Sequence, residues 1–171
     1  TLLACGDNRE PVVEPPPPPP AATQYAFALA TDYASPGILS RVELFGQTVL
    51  PDVVSGVASS DPVLVALADQ FVIVNRFGGD NITIMDREPL QLVAQVSTGA
   101  GSNPQDIARL GDVYYVPVFG GSGVALIDAA ADYALTSIDL SALDAFDDLP
   151  ECYAVLQTSA TEVFVVCQLL E

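Results

Sequence analysis

The stretch Phe71-Val-Ile-Val-Asn-Arg-Phe-Gly-Gly-Asp-Asn-Ile-Thr-Ile-Met-Asp86 recurs forty-two residues later as Val113-Tyr-Tyr-Val-Pro-Val-Phe-Gly-Gly-Ser-Gly-Val-Ala-Leu-Ile-Asp128. At that offset Val74 falls on Val116, Phe77-Gly78-Gly79 on Phe119-Gly120-Gly121, Ile82 on Val124, Ile84 on Leu126 and Asp86 on Asp128. Each copy reads as strand, glycine turn, strand. Self-similarity with a period of roughly 40 to 50 residues marks stacked supersecondary units, and short strands punctuated by glycine turns make β-blades the leading architecture. The expected fold is all-β, an incomplete propeller of about three blades, each of four antiparallel strands, that does not close on itself.

Working outward, the full unit opens at Asp61-Pro62, with strands expected at 63–67, 71–75, 81–85 and 92–98. Pro104 repeats Pro62 and opens strands at 105–110, 113–118, 123–127 and 134–140, and Pro150 opens a last pair at 153–158 and 162–168. A proline at the first residue of a strand removes no ladder hydrogen bond, which makes these places tolerant of it. Upstream lies a degenerate copy at an offset of forty-four, with Phe27 over Phe71 and Ile38 over Ile82, strands at 25–30 and 38–44 and a third at 48–54. The Gly-Gly pairs suit the positive φ of a tight loop, and Asp86 and Asp128, directly after a strand, suit carboxylates that bond back to turn amides.

The chain's 171 residues carry 22 acidic side chains against five arginines, with no lysine and no histidine, for a formal charge of −17. Such a field repels nucleic acid and favours cations or plain solubility. Without histidine the commonest general base and transition-metal ligand is missing, and without lysine so is Schiff-base chemistry. No Ser-His-Asp set, phosphate-cradling G-x-x-x-x-G-K or H-E-x-x-H is present.

The first residues, Thr1-Leu2-Leu3-Ala4-Cys5-Gly6, resemble the end of a bacterial lipoprotein signal, whose lipobox places an aliphatic residue and small residues before the cysteine that becomes acylated. Residues 1–5 are thus read as the end of the signal, with its upstream part missing and the chain a fragment, and Cys5 as the lipidation site that would be the membrane contact. Residues 6–22, with Pro15 to Pro20 unbroken, form a tether, and residues 23–171 the partial propeller. At about 3.1 Å per residue the tether reaches roughly 50 Å.

The pattern Val72-Ile-Val-Asn75, then Gly79-Asp80-Asn81-Ile82-Thr83-Ile84-Met85-Asp86, then Asn103-Pro104-Gln105-Asp106-Ile107-Ala108 resembles the YVTN-type β-propeller repeat. With the lipobox, it looks like the propeller lipoproteins of Gram-negative bacteria. The resemblance covers residues from about 25 onward and is good over one and a half blades. It implies a bacterial envelope protein; Gly6, rather than an aspartate, after the cysteine favours the outer membrane, on its periplasmic or outer surface.

In a four-stranded blade the loop between the second and third strands and the link to the next blade emerge on one face. That places Arg76, Asp80, Asn81 and Asp106 with the 141–151 insertion, which carries Asp144, Asp147, Asp148 and Glu151. Hard oxygen ligands suit calcium, so these four are its candidate ligands, although the loop lacks the glycine-centred spacing of a calcium loop. Asp144 to Asp147 is also expected to start a helical turn. The functional expectation is an envelope-anchored binding or scaffold module for a protein or small ligand, with no chemistry of its own. The alternative is a propeller-based hydrolase or lyase using a carboxylate or calcium site. With Cys5 assigned to lipid, Cys152 and Cys167 remain to pair. A hairpin turning at Ser159-Ala160 opposes residues whose numbers sum to 319, as 152 and 167 do, and an oxidising compartment would keep the disulfide formed.

Overall fold

The computed structural model describes residues 24–170; Cys5 and the proline run lie outside them. Thirteen strands form four separate antiparallel sheets, each a simple meander. The first holds β1 (Tyr25–Ala30), β2 (Ile38–Glu43) and β3 (Thr48–Leu50). The second holds β4 (Pro62–Ala66), β5 (Gln70–Asn75), β6 (Asn81–Arg87) and β7 (Leu90–Ser97). The third holds β8 (Ala108–Leu110), β9 (Val113–Pro117), β10 (Gly123–Asp128) and β11 (Ala134–Asp139). The last is the hairpin of β12 (Cys152–Gln157) and β13 (Val163–Cys167). These are two complete propeller-type blades, flanked by a three-stranded and a two-stranded one, and they do not close into a ring.

The core lies between blades. On one side of the second sheet, Phe71, Ile73 and Met85 pack with Leu39 and Val57, joined by Phe27 and Leu29 of the first sheet. On its other side, Val72, Val74, Ile82 and Ile84 pack with Tyr114, Val116 and Ile127 of the third. All six residues of β5 are buried, and its apolar stretch Phe71–Val74 faces a core on each side, so its sequence is a continuous apolar run rather than an alternating one.

This packing corrects the fixed forty-two-residue offset. Phe71 pairs with Met85 across β5 and β6, and Tyr114 pairs with Ile127 across β9 and β10. Met85 and Ile127 are forty-two residues apart, whereas Phe71 and Tyr114 are forty-three apart. Both tyrosine and phenylalanine face the preceding blade: Tyr114 Oη donates to Gln70 Oε1 of the second sheet at 2.7 Å. Val74 is therefore equivalent to Pro117, and Ile73 to Val116. The difference arises in the connecting loop, which has five residues between Asn75 and Asn81 but four between Val118 and Gly123, where the Val118 amide closes the turn on the Gly123 carbonyl. Because side chains alternate with period two, a one-residue slip exchanges every inward and outward position of the strand. The first copy is out of phase in the same way. Phe27 does not take the place of Phe71 but packs against it, ring centroids 5.0 Å apart, facing forward where Phe71 faces back.

Other differences are local. β3 stops at Leu50 rather than running to 54, since Pro51 follows and Asp52 takes a φ of 50°. Before β8 the chain makes only an isolated bridge, Pro104 to Val118. The helical turn expected from Asp144 is a 3-10 turn at Ser141–Leu143, and Asp144 ends it in an extended conformation. Of the Gly-Gly pairs, only Gly78 has the left-handed φ, 79°. Asp128 accepts from the Ala130 amide at 2.9 Å as expected, but Asp86 instead accepts from the side chains of Gln70 and Gln91, which hold its carboxyl below the usual aspartate value.

Cys152 and Cys167 form the expected disulfide. The body of the hairpin is paired one residue away from the expected register, Val155 with Val165 and Gln157 with Val163, so the turn centres on Ala160. A bulge between Cys152 and Ala154 restores the 152–167 pair at the hairpin's base. Closing this loop is worth about 3 kcal/mol in the chain-entropy account. Reduction is therefore expected to lower stability by about that amount and to open β12–β13 first, read by urea unfolding and by amide exchange in the hairpin. Equal unfolding midpoints for oxidised and reduced protein would refute a bracing role.

Candidate functional site

In the four-stranded meanders the loops between second and third strands share one face with the links between blades, and in the first sheet the β1–β2 loop does so, where the Gly37 amide donates to the Ser59 carbonyl of the link. This loop face holds the residues singled out from the sequence, and the structure shows what each carboxylate and amide does there.

Asp80 sits at a φ of 48° and reaches across to the link that leads into the third blade: its Oδ2 accepts from the Gly101 amide at 2.8 Å and its Oδ1 from the Asn103 amide at 2.9 Å. The far side of the same link is gripped by the third blade, where the Phe119 amide donates to the Asn103 carbonyl and the Gly120 amide to the Ser102 carbonyl. Gly120 lies so close that a Cβ built on it would fall 2.1 Å from the Gly101 carbonyl oxygen. Glycine is required here by close backbone approach. Beside this lock a groove of about 410 Å³ runs past Thr98, Ala100, Gly121, Val124 and Leu135.

Asn81 holds its own turn, donating to the Gly79 carbonyl and accepting from Asn75 Nδ2 at 2.8 Å. Asn75, which is buried, also accepts from the Ser59 amide at 2.7 Å and thereby ties down the link between the first two blades. Arg76 is paired with Asp61 at 2.6 Å. Asp106 accepts from the Ile107 amide and, at 3.0 Å, from the Val155 amide of the last hairpin, so it joins the third blade to the fourth.

In the 141–151 insertion Asp144 is buried and accepts from the Phe146 amide at 2.7 Å, Asp147 accepts from the Leu149 amide at 2.9 Å, and buried Glu151 accepts from the Leu170 amide at 3.1 Å. Asp148 is exposed with a φ of 63°. Among the described residues no three carboxylates gather in a way that would hold a metal ion. The residues read from the sequence as a ligand face are thus brought to one side of the molecule, and apart from exposed Asp148 their side chains are engaged in hydrogen bonds or an ion pair that fasten its loops.

What protrudes from that face is aromatic. Tyr33 in the β1–β2 loop, Phe77 in the β5–β6 loop and Phe146 in the link from β11 to β12 are 72%, 76% and 74% exposed, and Leu143 stands exposed beside Phe146. Phe77 was visible in the sequence as a large apolar residue immediately before a Gly-Gly turn, where a polar residue is the common choice. The acidic residues of the same face mask that signal in the sequence.

The chain matches no protein-family model, and a search of curated proteins finds no match.

Removing the Asp80 carboxylate leaves two amides of the inter-blade link without their acceptor. Asp80→Ala is expected to lower stability by about 1–3 kcal/mol and to speed exchange at the Gly101 and Asn103 amides, with Asp80→Asn retaining part of the effect. Unaltered exchange at those two amides would show that the link is held by other means.

Proposed function

We propose that the chain is an envelope-anchored recognition module of propeller blades, tethered by lipid on Cys5, which takes a protein or small ligand on its loop face and performs no chemistry itself. The observation that carries this reading is the set of loop-tip aromatics, Tyr33, Phe77 and Phe146, exposed on one face of a molecule with a charge of −17. Large exposed aromatic side chains supply most of the binding energy in recognition surfaces, because they desolvate much area at little entropic cost. The rigid blades hold the loops, and Asp80, Asp106 and Glu151 fasten them by hydrogen bonds to backbone amides. Carboxylates so engaged favour binding over the hydrolase or lyase alternative, which needs two of them free beside one bond.

The lipobox reading of Leu2-Leu3-Ala4-Cys5, the proline tether and the likeness to YVTN-type repeats support an outer-membrane lipoprotein. Expressed with its full signal in a Gram-negative host, the protein is expected to partition with the detergent phase, and Cys5→Ser to release it; identical partitioning of the two would refute lipidation. A photo-crosslinking residue at position 77 or 146 is expected to trap a partner in the native envelope, whereas one at Phe45, equally exposed on the opposite face, traps none. Equal adducts at 45 and 77 would refute the loop face as the recognition surface.

A further inference from the structure

The opposite face of the blades carries a feature that the loop face lacks. The chain has five arginines and no lysine. Arg76 and Arg109 are paired with carboxylates, the first with Asp61 and the second with Asp69 and Asp112. Arg41 and Arg87 form no ion pair among the described residues.

Arg41 lies on β2 directly across from Phe27, whose ring packs on Phe71 of the second blade. The arginine therefore projects beside the apolar cluster of Phe27, Leu39, Phe71 and Met85 between the first two blades. Its guanidinium lies 4.7 Å from the centre of the Tyr25 ring, and its Nε is buried without a hydrogen-bond acceptor. A buried donor on a permanently charged group is costly to leave unsatisfied; Arg76 Nε is buried in the same way, but its guanidinium is neutralised by Asp61, whereas Arg41 has no carboxylate partner among the described residues and calls for an acceptor. Arg87, the last residue of β6, enters the same space, and its guanidinium donates to the Ala68 carbonyl. Together with Tyr25, Phe27 and Leu90 the two arginines line a cavity of about 590 Å³. Asp69 and Glu88 also reach its wall, but Asp69 is drawn toward Arg109, 3.4 Å away, and Glu88 is exposed at the rim.

We propose that this cavity between the first and second blades binds a small organic oxyanion, a carboxylate or phosphate group on an apolar body. The guanidinium groups of Arg41 and Arg87 hold the oxyanion, since planar forks of N–H donors match its geometry, and the rings of Tyr25 and Phe27 cover the apolar part. The overall charge of −17 opposes anions at long range, so recognition depends on these two side chains and not on the general field. The site is independent of the loop face, which lies at the other ends of the strands.

The test follows the arginine Nε–H signals of the folded protein in ¹H–¹⁵N spectra during separate titrations with benzoate and with inorganic phosphate. The Arg41 and Arg87 signals are expected to move along one saturable curve, with benzoate the tighter of the two probes, while Arg76 and Arg109 stay in place. Arg87→Gln, a change at the exposed end of β6, is expected to weaken benzoate binding about tenfold or more, in line with the loss of a charge-assisted hydrogen bond, and so is Arg41→Gln. Arg76→Gln on the other face should bind as the parent does. Parallel movement of all the arginine signals, no saturable movement at Arg41, or full affinity in Arg87→Gln would each overturn the proposal.

Discussion

The burial of β5 on both of its faces is the constraint from which the rest of the structure follows. Phe71 and Ile73 point to the first blade, and Val72 and Val74 to the third, so one strand serves two inter-blade cores at once. Each such apolar side chain, fully removed from water, contributes about 1.5–3 kcal/mol, and none of that is available to a sheet standing alone. A blade is therefore stable only between neighbours, as in repeat proteins generally. Where no neighbour lies among the described residues, the corresponding face is open: Leu156, Phe164 and Val166 on the outer side of the last hairpin are exposed.

Polar groups then set how the blades are joined. Near one end of the strands, Gln70 accepts from Tyr114 and donates to Asp86, while Arg109 stacks over the Tyr114 ring at 5.3 Å. At the other end, Asp80 and Gly120 clamp the link between the second and third blades from opposite sides. Apolar packing between sheets leaves sliding and rotation comparatively free, whereas hydrogen bonds at both ends fix them, because every unsatisfied partner would be a buried loss. The loop face inherits its rigidity from these bonds. Its aromatic tips are held out by a frame, and a partner meets them with little further ordering to be done.

Much of this was legible in the chain. The strands and their grouping into blades followed from β-branched runs and glycine turns, and the Cys152–Cys167 pair from the arithmetic of a hairpin. Register was not legible. A fixed offset describes the repeat on average, but the third blade's loop is one residue shorter than the second's, and the eye matches Phe-Gly-Gly with Phe-Gly-Gly across that difference. With a period of two the small error moves Val116 from one face of its sheet to the other. In the last hairpin the disulfide emerged correctly from a register that holds only at its base, because a bulge offset the error. The engagement of the candidate site's side chains was not legible for a different reason: a sequence displays carboxylates but not the amides that will occupy them. Asp80, Asp106, Asp144 and Glu151 all accept from backbone N–H groups, some of them from residues twenty or more positions away. The unsatisfied Nε of Arg41 was equally invisible, since it depends on the packing of two blades.

β5 is the shared wall of two cores, and native-state amide hydrogen exchange tests that most directly. The amides of Val72, Ile73 and Val74 are expected to exchange only through global unfolding, with the same free energy and the same denaturant dependence, while the amides of β1 and of the β12–β13 hairpin open at lower cost. If the β5 amides exchanged as readily as those of the terminal sheets, the second blade would not be the centre on which the others are built, and the inter-blade packing described for this chain would be wrong.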